Sequence, residues 1–165
     1  KSRFEQTIQQ LQAYQESHSY RMKIGIGRTY KDVNKAYLNY REAGFVLLFQ
    51  RDTLFYEELG IYRLLLPLEN SEDLHSFVMD AIGPLIQHDK MKGTKLLHTL
   101  QAMFEYNGSK KEAAESLYIV RQTLYHRLNK IKQLIGEDYM SPDKRLSIEV
   151  SLRAYEIIKK NNYNE

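Results

Sequence analysis

Residues 109–131 read SKKEAAESLYIVRQTLYHRLNKI, and the apolar side chains of the second half recur on one side of a helix. At about 100° per residue, they lie within roughly 60° of each other. These side chains are Leu124, Leu128 and Ile131, and Ile135 continues the stripe. Ala113 and Ala114 precede them and offer a small surface at which two helices can cross. A short helix, a turn and a one-sided second helix are what a helix-turn-helix requires. The stretch therefore predicts such a pair over 110–117 and 121–135.

Beyond residue 67 the sequence contains helical patterns only. Pro67 and the polar residues 69–71 mark a boundary, because a proline and a polar run interrupt the apolar spacing. A helix is predicted over 72–82, where Gly83 and Pro84 interrupt it. Further helices are predicted over 94–106 and 142–160.

Upstream of that boundary, segments with helical spacing of apolar residues alternate with segments in which apolar residues recur at every second position. Residues 3–17 and 31–50 place apolar side chains at helical spacing. Residues 20–27 (YRMKIGIG) alternate large side chains with basic or glycine residues, which is typical of a strand with one buried face. A second short strand is predicted over 54–56, followed by a helical stretch over 59–66.

These patterns divide the chain into two parts of different class. Residues 1–67 are predicted to be a partial α/β segment, and residues 68–165 an all-α helix-turn-helix domain. Two small domains are ordinary for a chain of 165 residues. The fold class predicted for the whole chain is mainly α.

The positive charge of the chain is concentrated in one block. Lys and Arg number 12 against 12 Asp and Glu in residues 1–92, 7 against 3 in residues 93–136, and 5 against 6 in residues 137–165. The surplus is therefore 0, +4 and −1, although the net charge is only +3. A local surplus of this kind is the footprint expected where a protein contacts a polyanion.

Composition excludes several classes of protein. The chain has no cysteine, so disulfides and thiolate metal sites are excluded, and no apolar run is long enough to span a bilayer. We expect a cytoplasmic protein with no membrane partner. The first residue is lysine and no signal segment follows, so we expect a fragment of a longer protein. No catalytic arrangement and no cofactor or metal site is predicted.

The polar face of the helix over 121–135 carries the side chains predicted to contact DNA. Arginine and glutamine can pair with guanine and adenine edges, and the first turn of a recognition helix usually makes such contacts. We therefore predict base recognition by Arg121, Gln122 and His126, with Tyr125 and Asn129 beside them. Phosphate contacts are predicted for Lys110, Lys111, Arg127, Lys130 and Lys132. The complete predicted DNA-binding set is Lys110, Lys111, Arg121, Gln122, Thr123, Tyr125, His126, Arg127, Asn129 and Lys130.

The residues alone leave other interpretations open. A solvated helix with a basic outer face is common, and the chain could be an interaction module in which helices over 71–106 and 142–160 assemble subunits. In that case the basic face would bind an acidic protein. Tyr106, Tyr118 and Tyr155 fall near helical seams and are predicted to be core or packing residues.

Residues 96–158 resemble the C-terminal helix-turn-helix domain of the PucR/CdaR family of bacterial transcriptional regulators. The pieces that carry the resemblance are LLHTL at 96–100, NGS at 107–109, RQTLYHRL at 121–128 and SPDKRL at 141–146. The segment from Ala113 to Leu128 is also similar to the DNA-binding end of the factor for inversion stimulation. The family pattern usually has a polar residue where this chain has Val120, and a valine cannot cap a helix through its side chain.

The resemblance extends upstream to the GGDEF-like domain that precedes this helix-turn-helix in the same family. IGIGRTY, YREAGFVLLFQ and LFYEELGIYRLL carry it, but the GGDEF signature itself is absent, so nucleotide cyclisation is not implied. The resemblance implies a regulator of a metabolic operon, of the purine, sugar-diacid or amino-acid utilisation type. It also implies double-stranded DNA as a partner and a small-molecule effector sensed by a missing N-terminal region. A homodimer or higher homo-oligomer is predicted because one such module offers only a modest interface.

Overall fold

The computed structural model describes residues 2–18, 23–49 and 54–161. The chain divides into two compact units, Lys1–Gly60 and Ile61–Glu165. Helices dominate the described residues, which confirms the mainly α class. Among the described helices, none combines the length and apolar content that crossing a bilayer requires.

The described residues of the first unit include two α-helices, which lie within or close to the predicted spans 3–17 and 31–50. Helix α1 is Ser2–His18 and helix α2 is Ala36–Phe49. A 3-10 turn, Val33–Lys35, leads into α2, and the Asp32 side chain caps it by accepting from the Asn34 backbone N–H at 3.0 Å. A second 3-10 helix, Tyr56–Leu59, closes the unit.

The strand predictions for this unit are not met in the described residues. Ile26 and Phe55 form one isolated parallel bridge, with backbone hydrogen bonds of 2.8 Å on either side of it. Residues 20–22 lie outside the described residues. A Cβ at Gly25 or Gly27 would collide with a backbone carbonyl of α2, so the glycine side of this segment packs against that helix. A single pair of short segments has few ladder bonds and is marginal without further strands.

The second unit contains six α-helices among its described residues. Helix α3 is Tyr62–Leu65 and continues as a 3-10 turn, Leu66–Leu68. The five longer ones are α4, Glu72–Lys92; α5, Leu96–Glu105; α6, Lys110–Ser116; α7, Arg121–Ile135; and α8, Pro142–Asn161. Helix α7 has the predicted bounds at both ends. At its C-terminal end, Gly136 with a φ of +97° stops the helix.

Helix α4 corrects the prediction of a break at Gly83 and Pro84. The helix runs through both residues to Lys92, with Pro84 inside it. Proline in a helix interior removes one hydrogen bond and costs about 3 kcal/mol. The buried stripe of the helix lies on both sides of the proline, so packing outweighs that cost. The stripe consists of Leu74, Val78, Ile82 and Leu85.

The core of the second unit forms where α4 and α5 pack against α7 and α8. Fully buried side chains on these helices include Leu85, Leu100, Leu124, Ile148 and Ile157. Tyr62 and Leu66 are also buried in this unit, and the Tyr62 hydroxyl donates to Glu156 Oε2 on α8 at 2.7 Å. Residues 61–67 therefore pack with the C-terminal helices, whereas the predicted domain limit lay at residue 67.

Candidate nucleic-acid interface

Helices α6 and α7 cross as the sequence predicts. Ala113 and Ala114 are 0% and 3% exposed, so the backbones approach closely at the crossing. Every member of the predicted stripe on α7 is buried: Leu124, Leu128, Ile131 and Ile135. One face of α7 is thus fixed in the core, which leaves the opposite face outward.

The turn between these helices contains an unexpected tyrosine. Tyr118 has a φ of +54°, and its side chain is 96% exposed. The prediction that it packs in a seam is wrong, because the left-handed backbone at this position directs the side chain to solvent. The Ile119 backbone N–H donates to the Ala114 carbonyl at 3.0 Å and closes the turn.

Helix α7 begins without a side-chain cap. Val120 occupies the N-cap position with extended backbone, makes no capping hydrogen bond and is 69% exposed. The expectation drawn from the residue type is confirmed. Backbone N–H groups of the first turn therefore remain open to solvent or to a ligand.

The outward face of α7 is polar along its whole length. Four exposed side chains lie within roughly 60° of each other around the helix axis, opposite the buried stripe. They are Gln122, His126, Asn129 and Gln133. Amide and imidazole groups can both donate and accept, so this face can pair with base edges.

The side of α7 next to α6 carries Arg121 and Tyr125, both exposed. The Lys110 ammonium lies 4.8 Å from the centroid of the Tyr125 ring, a cation–π contact between α6 and α7. Lys111 is exposed beside it. The structure thus brings Lys110 and Tyr125 together on one flank of the helix pair, with Arg121 one turn before Tyr125 on the same side of α7.

The other side of α7 carries Thr123, Arg127 and Lys130, which are all half-buried. Arg127 was predicted to contact phosphate, but it turns towards α5, where its Nη1 donates to Thr99 Oγ1 at 3.3 Å. The Lys130 ammonium donates to Gln133 Oε1 at 3.4 Å. This flank therefore faces the start of α5 and not α6.

No carboxylate balances the cations of α7. Within the described part of the chain, Arg121, Arg127, Lys130 and Lys132 have no acidic side chain within ion-pair distance. Two ion pairs of this unit lie away from α7, one between Lys144 and Asp138 and the other between Arg145 and Glu149. The charge surplus seen in the sequence is therefore a surplus at this surface.

The sequence did not predict the roles of two cations, Arg145 and Lys95, at this surface. Arg145 on α8 lies over the Phe104 ring and reaches Asn107 Oδ1 at 3.4 Å, so it holds the turn that leads into α6. Lys95, between α4 and α5, lies beside the Thr123 flank of α7. Only the position of Lys95 within the basic block of residues 93–136 hinted at a role.

No metal site is evident in residues 2–18, 23–49 and 54–161. No three histidine or carboxylate side chains in these ranges are grouped so that they could hold an ion. The surface described above offers amides, imidazole, hydroxyls and cations. Such a set suits hydrogen bonding to bases and pairing with phosphates.

Comparison with known proteins bears on the helix-turn-helix. Residues 96–154 match the PucR C-terminal helix-turn-helix domain. This match confirms the resemblance that residues 96–158 suggest. No solved structure gives a significant match. The GGDEF-like interpretation of residues 1–67 stays a prediction.

Several bacterial regulators are similar to the chain. A purine catabolism regulatory protein of Bacillus subtilis is 29% identical over 94 residues, covering 57% of this chain and 17% of that protein. The proline-responsive transcriptional activator PutR of the same organism is 31% identical, covering 70% and 30%. A carbohydrate diacid regulator of Escherichia coli is 27% identical, covering 93% and 40%. The chain thus spans less than half the length of each of these relatives.

Proposed function

We propose that this chain, whose residues 96–154 are a helix-turn-helix domain of the PucR family, is a sequence-specific DNA-binding regulator of a metabolic operon. The similar proteins are named for the control of purine, proline and carbohydrate diacid metabolism. By analogy, this chain would regulate one utilisation pathway of this kind. Neither a reaction nor a cofactor is part of the proposal.

The outward face of α7 is the observation that carries the proposal. A polar row runs along it, and cations without carboxylate partners flank it on both sides. A helix of this form fits the major groove, which is about 12 Å wide. Phosphates on either side of the groove would then meet the flanking cations.

The predicted contacts divide into two roles within this proposal. Arg121, Gln122 and His126 recognise base edges, with Tyr125 and Asn129 on either side of them. Lys110, Lys111, Thr123, Arg127 and Lys130 contact the sugar-phosphate backbone. The hydrogen bond of Arg127 to Thr99 is long, so a phosphate can displace or share it.

The remaining parts of the proposal concern the longer protein. A single helix-turn-helix offers a modest interface, so we propose a homodimer or higher homo-oligomer that binds half-sites about 34 Å apart or a multiple of it. Of the residues 1–67 predicted as GGDEF-like, those of the first unit, up to Gly60, would belong to a GGDEF-like α/β domain, and the parallel pairing of Ile26 with Phe55 on either side of α2 in the sequence supports that order. A small-molecule effector would act through an N-terminal region, and the protein would work in the cytoplasm.

Band shifts in increasing salt test the proposal. A duplex selected from a random pool is titrated with protein, first alone and then against random-sequence competitor. We expect the selected duplex to resist the competitor. We also expect the logarithm of affinity to fall linearly with the logarithm of salt concentration, by about 0.9 per neutralised phosphate.

The same titration separates the proposal from its main alternative. An interaction module whose basic face binds an acidic protein would retain no duplex against random-sequence competitor at any salt concentration. That result would overturn the proposal. Incubation with GTP and magnesium tests the enzymatic alternative, since any cyclic dinucleotide formed would mean a catalytic role.

A further inference from the structure

A basic cleft lies beside the recognition helix, on the flank away from α6. It has a volume of about 530 Å³ and opens to solvent between the start of α5 and one side of α7. Lys95, Arg127 and Lys130 contribute cationic groups to its lining, and no lining residue is acidic. Thr123 and His126 add groups that can donate hydrogen bonds. An anion with several acceptor oxygens fits this lining.

The wall that carries Lys95 is held by a network centred on Asp89. Asp89 Oδ1 accepts from the Thr94 hydroxyl at 2.5 Å and from the Leu96 backbone N–H at 2.8 Å, while Oδ2 accepts from the Leu97 backbone N–H at 3.0 Å. The carboxylate thus caps α5, and both of its oxygens accept hydrogen bonds from donors of this wall. Its negative charge remains close to the cleft, where the three cations Lys95, Arg127 and Lys130 outnumber it.

Two further contacts fix the same wall. His88 Nδ1 lies 2.9 Å from Thr94 Oγ1, and since the Thr94 proton goes to Asp89, the imidazole donates here. Gly93 ends α4 with a φ of +63°, and its N–H donates to the Asp89 carbonyl at 2.9 Å. The segment is therefore ordered before any ligand arrives, which lowers the entropic cost of binding.

The cleft and the Lys110 flank lie on different sides of α7. Tyr125, which Lys110 contacts, and Lys130, which lines the cleft, are about 140° apart around the helix axis. The row of base-facing side chains lies between them. A helix in the major groove has one phosphate backbone on each side, so each flank meets a different strand.

We infer that this cleft binds a phosphodiester of the DNA backbone, on the strand opposite to the one that Lys110 and Lys111 contact. The inference rests on the proposed function and adds a second anchoring point, in which Lys95 from outside the helix-turn-helix pair joins Arg127 and Lys130 of α7. Two anchors on opposite strands set the depth and the tilt of α7 in the groove. Lys95 is the central cation of this anchor, because it is exposed and projects from the ordered wall.

A scan with neutral phosphates tests the inference. Duplexes that carry a single methylphosphonate at successive positions on each strand are titrated with the wild-type protein and with Lys95→Gln and Lys110→Gln. Lys159→Gln, an exposed lysine on α8 outside the cleft, is the matched control. Circular dichroism verifies that each variant is folded, as expected for changes at exposed positions.

We expect the wild-type protein to lose affinity at positions on both strands. Lys95→Gln should become insensitive to neutralisation at one or two positions on one strand, and Lys110→Gln at positions on the other strand. The salt slope of Lys95→Gln should decrease by about 0.9. Lys159→Gln should behave as the wild type does.

Three results would each contradict either the proposed function or the cleft inference, and they can be told apart. If the wild-type protein binds no duplex, the proposed function fails. If it binds but Lys95→Gln keeps the wild-type scan and salt slope, the cleft inference alone fails. If inorganic phosphate shifts the His88 and Thr94 resonances while the salt slope is unaffected by Lys95→Gln, the cleft holds a free anion and the inference about DNA is wrong.

Discussion

In the first unit, Arg28 and Tyr30 turn inward onto Glu42, whereas in the described part of the second unit the cations of α7 have no carboxylate beside them. Glu42 is only 3% exposed. It accepts from the Arg28 Nη2 at 2.5 Å, from the Arg28 backbone N–H at 2.9 Å and from the Tyr30 hydroxyl at 2.6 Å. The same residue types are thus saturated internally in one unit and left open in the other.

The difference distinguishes charged groups that stabilise the fold from charged groups that are available to bind a ligand. The two oxygens of Glu42 are matched by donors of its own unit, so this cluster has little left to offer a ligand. Arg127, by contrast, donates to a neutral group, the Thr99 hydroxyl, at 3.3 Å. A cation without a carboxylate partner is available to a polyanion, because no ion pair must be broken first.

Removing the carboxylate of Glu42 tests the structural side of this comparison. We expect Glu42→Gln to lower the free energy of unfolding of the first unit by about 2–3 kcal/mol, because charged hydrogen bonds in a mostly buried site are lost. Hydrogen exchange over residues 23–49 measures the loss. Glu105→Gln, an exposed carboxylate on α5, is the control. A matching loss of DNA affinity would contradict the separation of roles.

The same cluster predicts a dependence on acid. Burial alone would raise the pKa of Glu42, but the hydrogen bonds from Arg28 and Tyr30 outweigh it and hold the pKa below its ordinary value of 4.5. The stabilisation is therefore complete above that ordinary value and is lost as the pH falls through the lowered pKa. Urea unfolding from about pH 6 to about pH 2 covers both the ordinary and the lowered pKa of a glutamate. Over this range, the free energy of unfolding should fall more steeply for the wild type than for Glu42→Gln. Equal slopes would show that Glu42 is not responsible.

The open start of α7 predicts a smaller effect, and one of opposite sign. Val120→Ser should raise the stability of the second unit by about 1 kcal/mol, because the backbone at this position is extended and a serine hydroxyl can accept from the first turn. Little burial is lost, since Val120 is 69% exposed. Val120→Ala removes the same apolar surface without adding a cap. If both variants raise the urea midpoint equally, capping is not the cause.

The helix-turn-helix was predictable because its signals are local. The one-sided stripe from Leu124 to Ile135, the alanine pair and the stop at Gly136 all act within a few residues, and α7 has the predicted bounds. The break predicted at Pro84 failed because packing of α4 against α7 and α8 decides that helix. A local penalty of about 3 kcal/mol is easily exceeded by several buried side chains.

The candidate site was only partly predictable, for a related reason. Gln122, His126 and Asn129 share the outward face because helix geometry alone places them there. The orientation of Arg127 and the position of Lys95 depend on how α5 packs against α7, which no spacing within one helix reveals. Tyr118 was misplaced because the left-handed turn, and not helical spacing, sets its direction.

The central claim is that Arg121 and the outward face of α7 recognise bases, and DNA selection by the wild type and one double variant tests it most directly. Bound duplexes are selected from a random pool with the wild-type protein and with an Arg121→Ala, Gln122→Ala double variant. We expect the wild type to enrich one sequence and the folded double variant to bind it at least tenfold more weakly, since each lost base contact costs about 1–3 kcal/mol. Unchanged affinity and sequence preference in the double variant would contradict the claim.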